Sequence, residues 1–381
     1  MRNAPTERRR LLLVTNDFPP RQGGIQTFLW ELLRRLPAEQ VAVYCSTYPG
    51  AEAFDAQLPF PVRRHPTGLL VPTPAARRRI LQARADFGAS TVWFGAAAPL
   101  GLLGRALRAG GAQRLVATTH GHEVGWAMLP GARQALRRIG REVDVLTYLG
   151  EYTRRRLARV LPTDTRLERL TPGVDTGRFS PAVDGAAVRA RHGLTDRPVI
   201  VCVSRLVPRK GQDALIRALP AVRERVPDAA LLLVGGGRYR QQLHRLARRA
   251  GVAEHVRFAG AVPSEQLPQH FAAGDVFAMP CRTRRLGMDV EGLGMVFLEA
   301  SATGLPVLAG DSGGAPDAVR PGATGEVVDG RDHAAIAELL AGLLADPPAA
   351  RRLGAAGRHW VEQDWQWDRI AARLADLLDL D

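Results

Sequence analysis

Lysine is all but missing from this chain. Of 52 basic residues, Lys210 alone is not arginine, in the stretch RLVPRKGQD at 205–213. Cysteine is scarce too: Cys45, Cys202 and Cys281 are too few and too scattered for a disulfide framework or a metal cluster. Cys45 and Cys202 fall in predicted strands and read as inert core thiols. No apolar run approaches the roughly 18–20 residues of a bilayer-spanning helix. The apolar part of the N-terminus is only LLLV before Asn16 and Asp17, which reads as a buried first strand and not a signal peptide. Aromatic residues make up 6%, so a basic stripe interleaved with stacking rings is lacking, and with it the signature of a nucleic-acid binder. The glycine fingerprint of dinucleotide enzymes is absent after the first strand. These absences leave a cytoplasmic globular protein, and its 381 residues suit two domains better than one core.

What is present repeats twice. Short apolar runs (LLLVTND, VAVYCST, VWFG, LVATTHG, DVLTYLG) alternate with helical patterns, as in a parallel sheet covered by helices. The turn-rich TPGVDTGRFSP at 171–181 interrupts the pattern. Alternation restarts with VIVCVSRL, ALLLVGGG, VRFAGAV, VFAMP, PVLAG and GEVVD. The expected architecture is α/β with two Rossmann-like domains facing across a cleft, residues 1–172 and 173–364, and a final helix over 365–381 returning to the first domain. Ligands bind at the carboxyl ends of such sheets. Charge is unequal: residues 1–170 hold 26 Arg against 13 Asp plus Glu, whereas the remainder holds 26 basic against 25 acidic. The first domain therefore suits an acidic partner, with an arginine-rich composition as the plain alternative.

Four motifs carry chemistry. In NDFPPRQGGIQ, Gly23 and Gly24 open a helix, where free amides favour a phosphate, although a plain strand-to-helix turn has the same appearance. In THGHEVGW, His120 and His122 flank a glycine beside Glu123. A third spaced metal ligand is missing, so His120 suits contact with a polar substrate or a structural role. Arg205 and Lys210, at a strand end and a helix start, can neutralise a diphosphate leaving group without a metal, the arginine as a planar fork and the lysine as a compact point charge. Facing a cleft, Lys210 is expected to matter little to folding, and chance placement of one lysine stays open. In DVEGLGMVFLEA, Glu291 lies in a loop and Glu299 on a helix starting near Gly294. Paired carboxylates suit vicinal sugar hydroxyls, and Asp289 with Glu291 as a metal pair is redundant beside the two cations. GGG at 235–237 reads as a phosphate loop or a helix-entry turn. SGGAPDAV at 312–319 is expected to line the same cleft, and Asp379 with Asp381 reads as solvated surface.

Together these motifs resemble the retaining glycosyltransferases of family 4, which have the GT-B fold, over almost the whole chain. WFGAAAPL, THGHEVGW, SRLVPRKGQD and DVEGLG look most like an actinobacterial branch that uses GDP-mannose to mannosylate phosphatidylinositol monomannoside. The resemblance implies that Arg205 and Lys210 bind the donor diphosphate, with Gly23 and Gly24 approaching it. It implies that Glu299 holds the ribose and that Glu291 and His120 bind the transferred sugar, within a donor loop of Gly292, Gly294, Met295 and Val296. Asp17, Gln26 and His120 would meet the acceptor. It further implies retention without metal or cofactor, an α-1,6 linkage, an anionic phosphoinositide acceptor, and peripheral contact with the inner face of an anionic membrane. Arginine clusters in TPAARRRILQARADF and GARQALRRIGREVD are the candidate contacts. WQW at 365–367 would pack inward in preference to anchoring at an interface.

Overall fold

The computed structural model describes residues 9–380; the first eight residues and Asp381, the second half of the Asp379/Asp381 pair, lie outside it. The chain divides into two units, one of residues 1–172 with 367–381, the other of residues 173–366.

The first unit holds seven parallel strands: β1 (Leu11–Thr15), β2 (Val41–Ser46), β3 (Val62–His65), β4 (Thr91–Phe94), β5 (Arg114–Thr118), β6 (Val145–Tyr148) and β7 (Leu167–Arg169). Their order is β3-β2-β1-β4-β5-β6-β7. Central strands such as LLLVT and TVWF are buried on both faces, which is why they read as continuous apolar runs instead of alternating ones. Leu12, Val14, Val92 and Leu115 point to one core, and Leu11, Leu13, Trp93 and Val116 to the other. The helix Trp367–Leu378 covers the second face through Trp367, Leu374 and Leu377, and Arg35 pairs with Asp368 at 2.6 Å. Of the WQW residues, Trp365 is buried in the core of the second unit and Trp367 in that of the first.

The second unit is a six-stranded parallel sheet of β8 (Val199–Val203), β9 (Ala230–Val234), β10 (Val256–Gly260), β11 (Val276–Met279), β12 (Val307–Gly310) and β13 (Gly325–Val328). The order is β10-β9-β8-β11-β12-β13. Strand order reverses beside β1 and β4 in the first sheet and beside β8 and β11 in the second. At such switch points the loops leaving neighbouring carboxyl ends diverge and open a crevice. Both crevices carry the motifs singled out in the sequence.

All three cysteines are free and buried, and burial pushes each thiol up to about 12, so none is a nucleophile.

Candidate active site

In the second unit the loop leaving β8 carries Arg205 and closes in a short turn, Pro208–Lys210, before the helix Gln212–Arg225. Gly211 joins them at φ 79°, and a Cβ there would lie 2.1 Å from the carbonyl oxygen of Pro280, so the turn is pressed against the end of β11 and only glycine fits. That close approach carries Lys210 to Glu291: Nζ lies 2.7 Å from Oε2, with both side chains almost wholly buried. Arg209 pairs with the same oxygen and also with Asp289 at 3.2 Å. Desolvation raises the carboxyl pKa of Glu291, but attraction to Lys210 and Arg209 outweighs it and holds the pKa below the usual range. Glu291 is therefore a fixed anion between two cations.

This geometry corrects one expectation and gives the D-x-E pair a structural role. Lys210 is not an isolated cation that matters little to folding, because it compensates a buried carboxylate. Asp289 and Glu291 are already spoken for by Arg209 and Lys210, so the D-x-E spacing serves an ion-pair cluster. Among the described residues no group of three or more His, Cys, Asp or Glu side chains is placed to hold a metal ion. Arg209 was missed in sequence, hidden among 51 arginines; its adjacency to Lys210 was the available signal.

Arg205 is exposed, and among the described residues no carboxylate lies within ion-pair distance of it. Its backbone is fixed, since Gln212 Nε2 donates to its carbonyl at 3.0 Å and to Ser204 Oγ at 2.8 Å. The GGG stretch supports the same loop: the Leu206 N–H donates to Gly236 O, and Gly235 lies against the Ser204 carbonyl. It is thus a close-packing turn.

Glu299 sits one turn into the helix Met295–Ala302, behind Gly292, Gly294, Met295 and Val296, all partly exposed. Gly313 and Gly314 pack on the backbone of Glu291 and Gly292, and the Gly314 N–H donates to Glu291 O at 3.0 Å. The Glu291 N–H donates to Ser312 Oγ at 3.3 Å, a support that sequence did not single out. Desolvation pushes Glu299 up to about 7, against a weaker pull from Arg178. With a folded pKa above the unfolded value of about 4.5, the native state holds a proton that the unfolded chain has lost, so stability falls as pH rises from about 4.5 to 7. Glu299→Gln removes this dependence. Its melting temperature should match the parent at pH 5 and exceed it by about 2–4 °C at pH 8, read by thermal denaturation; equal curves at both pH values would contradict the assignment.

In the first unit, Gly23 caps the helix Gly24–Leu33, and a Cβ on Gly24 would meet nothing within 4 Å, so that helix start is open. Gln26 Nε2 donates to Asp17 Oδ1 at 2.7 Å. Burial raises the Asp17 pKa, opposed by Arg21 and His122. His120 Nε2 lies 2.6 Å from the Gly95 carbonyl, which can only accept, so Nε2 carries the proton and Nδ1 keeps a lone pair. Burial lowers the imidazole to about 4, and His120 is neutral at physiological pH. Buried Glu123 accepts the His120 backbone N–H at 2.9 Å and fixes the loop; it is a positioning group. His120 thus lies beside Phe28 and His122, and Asp17, just past the end of β1, pairs with Gln26 and feels the charge of His122.

A family model described as Glycosyltransferase Family 4 matches residues 22–178, and one described as Glycosyl transferases group 1 matches residues 186–360. The chain is 56% identical over 373 residues, covering 97% of it and 98% of the relative, to a GDP-mannose-dependent alpha-(1-6)-phosphatidylinositol monomannoside mannosyltransferase of Mycolicibacterium smegmatis. The corresponding Mycobacterium tuberculosis protein is 54% identical, again over 97% of this chain and 98% of the relative. A Corynebacterium glutamicum protein named for the monoacylated acceptor is 49% identical with the same two coverages. Among solved structures, HepE of Anabaena in complex with UDP superposes with a TM-score of 0.81 at 19% identity, covering 97% of this chain and 99% of that one. The glycosyltransferase WaaG gives 0.68 at 19%, covering 97% and 99%. At those identities the structures speak for the fold alone.

Proposed function

We propose that this chain, which belongs to the family 4 glycosyltransferases, transfers mannose from GDP-mannose to a phosphatidylinositol monomannoside in α-1,6 linkage. The observation that carries this reading is the end-to-end likeness to relatives named for that donor and acceptor.

In this reading the second unit serves the donor. Arg205 grips the diphosphate with its unpaired fork, and Lys210, fixed on Glu291, offers its remaining N–H donors to the departing GDP. Charge developing on the leaving phosphate then meets two cations already in place, and no metal is needed. Glu291, held as an anion, accepts hydrogen bonds from hydroxyl groups of the transferred sugar. Glu299, behind the donor loop of Gly292, Gly294, Met295 and Val296, takes the ribose hydroxyls; in the first unit, the open helix start at Gly23 and Gly24 has amides suited to a phosphate. Neutral His120 offers Nδ1 as an acceptor to the sugar or the acceptor, with Asp17 and Gln26 assisting. Configuration is retained by attack on the face from which GDP leaves, a donor phosphate oxygen taking the acceptor proton. A nucleotide bound only by the folded state must raise the melting temperature. GDP should shift it more than UDP or ADP at equal concentration; a larger shift with UDP would reject the donor.

The enzyme would meet its lipid at the inner face of the cytoplasmic membrane. No described helix is long and apolar enough to cross a bilayer. On the helix Pro130–Glu142, Leu136 and Ile139 are consumed by the core, so its outer face offers Arg133, Arg138 and Arg141 and no apolar stripe. Attraction to anionic lipid, at about 1 kcal/mol per arginine, would be the main contribution of this helix. Changing those three to Gln should weaken binding to phosphatidylinositol vesicles by on the order of 100-fold at low salt; unchanged co-sedimentation would exclude this face.

A further inference from the structure

Among the described residues of the second unit only two large apolar side chains are exposed, Leu286 at 92% and Met288 at 57%, and Leu286 is more exposed than any of the five in the first unit. Both lie on one loop tip. Arg285 and Leu286 have φ of 49° and 55° and Gly287 follows at 93°, so two side chains with a Cβ occupy the left-handed region that glycine or asparagine fills at less cost. The tip is also closed by its own backbone hydrogen bonds. The Arg284 N–H donates to Asp289 O at 2.9 Å, the Asp289 N–H returns to Arg284 O at 3.2 Å, and those of Gly287 and Met288 close the turn at 3.1 Å each. At its root Asp289 is held by Arg209, the residue that also grips Glu291. A leucine is kept fully exposed on strained backbone, where a polar residue would serve stability better on both counts.

We propose that the 284–289 loop is a membrane-touching prong: Leu286 and Met288 enter the headgroup layer of an anionic bilayer while Arg285 pairs with lipid phosphate. The proposal rests on the lipid acceptor of the reading above. The occupant follows from chemistry. Arg285 is exposed, and among the described residues no carboxylate lies within ion-pair distance of it, so the tip joins apolar and cationic groups as an anionic lipid surface requires. Anchored to Arg209, the prong would fix the donor site relative to the plane from which the acceptor headgroup rises.

The test compares the full chain with Leu286→Asn and with the double variant Leu286→Asn/Met288→Gln, neither of which alters net charge. Asparagine tolerates left-handed backbone, so the fold should hold, and an unchanged GDP thermal shift verifies it. Co-sedimentation is measured with vesicles of phosphatidylinositol in phosphatidylcholine and of phosphatidylcholine alone. Transfer is measured to phosphatidylinositol monomannoside in vesicles and to its deacylated, water-soluble counterpart. For the double variant, binding to the anionic vesicles should fall about fivefold or more and KM for the lipid acceptor rise comparably, with transfer to the deacylated acceptor unchanged. Unchanged vesicle binding overturns the proposal. So does an equal loss with both acceptors, which would make the loop part of the transfer site, or a parent dimer that the variant dissolves, which would make it a protein contact. Absence of transfer by the parent to either acceptor would count against the mannosyltransferase reading, while the vesicle measurement would still decide the prong.

Discussion

Glu291→Gln is expected to abolish most transfer and to destabilise the second unit together. The substitution keeps the side chain's size but removes the anion shared by Lys210 and Arg209. Arg209 retains Asp289 as a partner, whereas the Lys210 ammonium is left buried with no carboxylate beside it. Stranding one member of a buried pair costs about 3–5 kcal/mol, which corresponds to a melting point lower by roughly 10 °C. A second substitution, Lys210→Met, separates the two effects. In the double variant no unpaired charge remains, so much of the stability should return while activity stays lost, a non-additivity that a double-mutant cycle reads directly. If Glu291→Gln melts like the parent, the cluster does not stabilise the second unit.

Lys210→Ala removes the cation proposed to meet the leaving diphosphate. Loss of one preorganised electrostatic donor costs about 10²–10³-fold in kcat, and single-turnover transfer with saturating donor should fall by that order. The protein should still fold, because Arg209 continues to hold Glu291, but it should melt lower than the parent. Lys210→Arg asks whether shape matters. The guanidinium of Arg209 already occupies one side of the Glu291 oxygen, and a second planar head at position 210 competes for the same space. Activity should therefore fall well below the parent, although charge is conserved. Full activity would make the lone lysine an accident of composition.

The two sheets were legible because their central strands are buried on both faces and so spell apolar runs. The edge strands β3, with VRRH, and β7, with LER, escaped notice, since an edge strand half open to solvent carries no such run. Lys210 was visible through rarity, and Glu291 and Glu299 through spacing between glycines. The ion pairing that joins Lys210, Arg209, Asp289 and Glu291 was not visible. It depends on the contact of Gly211 with Pro280, residues 69 positions apart, and no local pattern encodes such a contact. The hydrogen bond from the Glu291 N–H to Ser312, inside the SGGAPDAV stretch, was hidden for the same reason, and the strained tip at Arg285 and Leu286 because positive φ at non-glycine residues leaves no compositional trace.

The most direct measurement is a transfer assay with purified protein, GDP-mannose and phosphatidylinositol monomannoside in the presence of excess chelator. An α-1,6-linked dimannoside should form at the same rate with and without chelator. No transfer from GDP-mannose alongside turnover of another nucleotide sugar would contradict the donor assignment, and transfer abolished by the chelator would contradict the role given to Arg205 and Lys210.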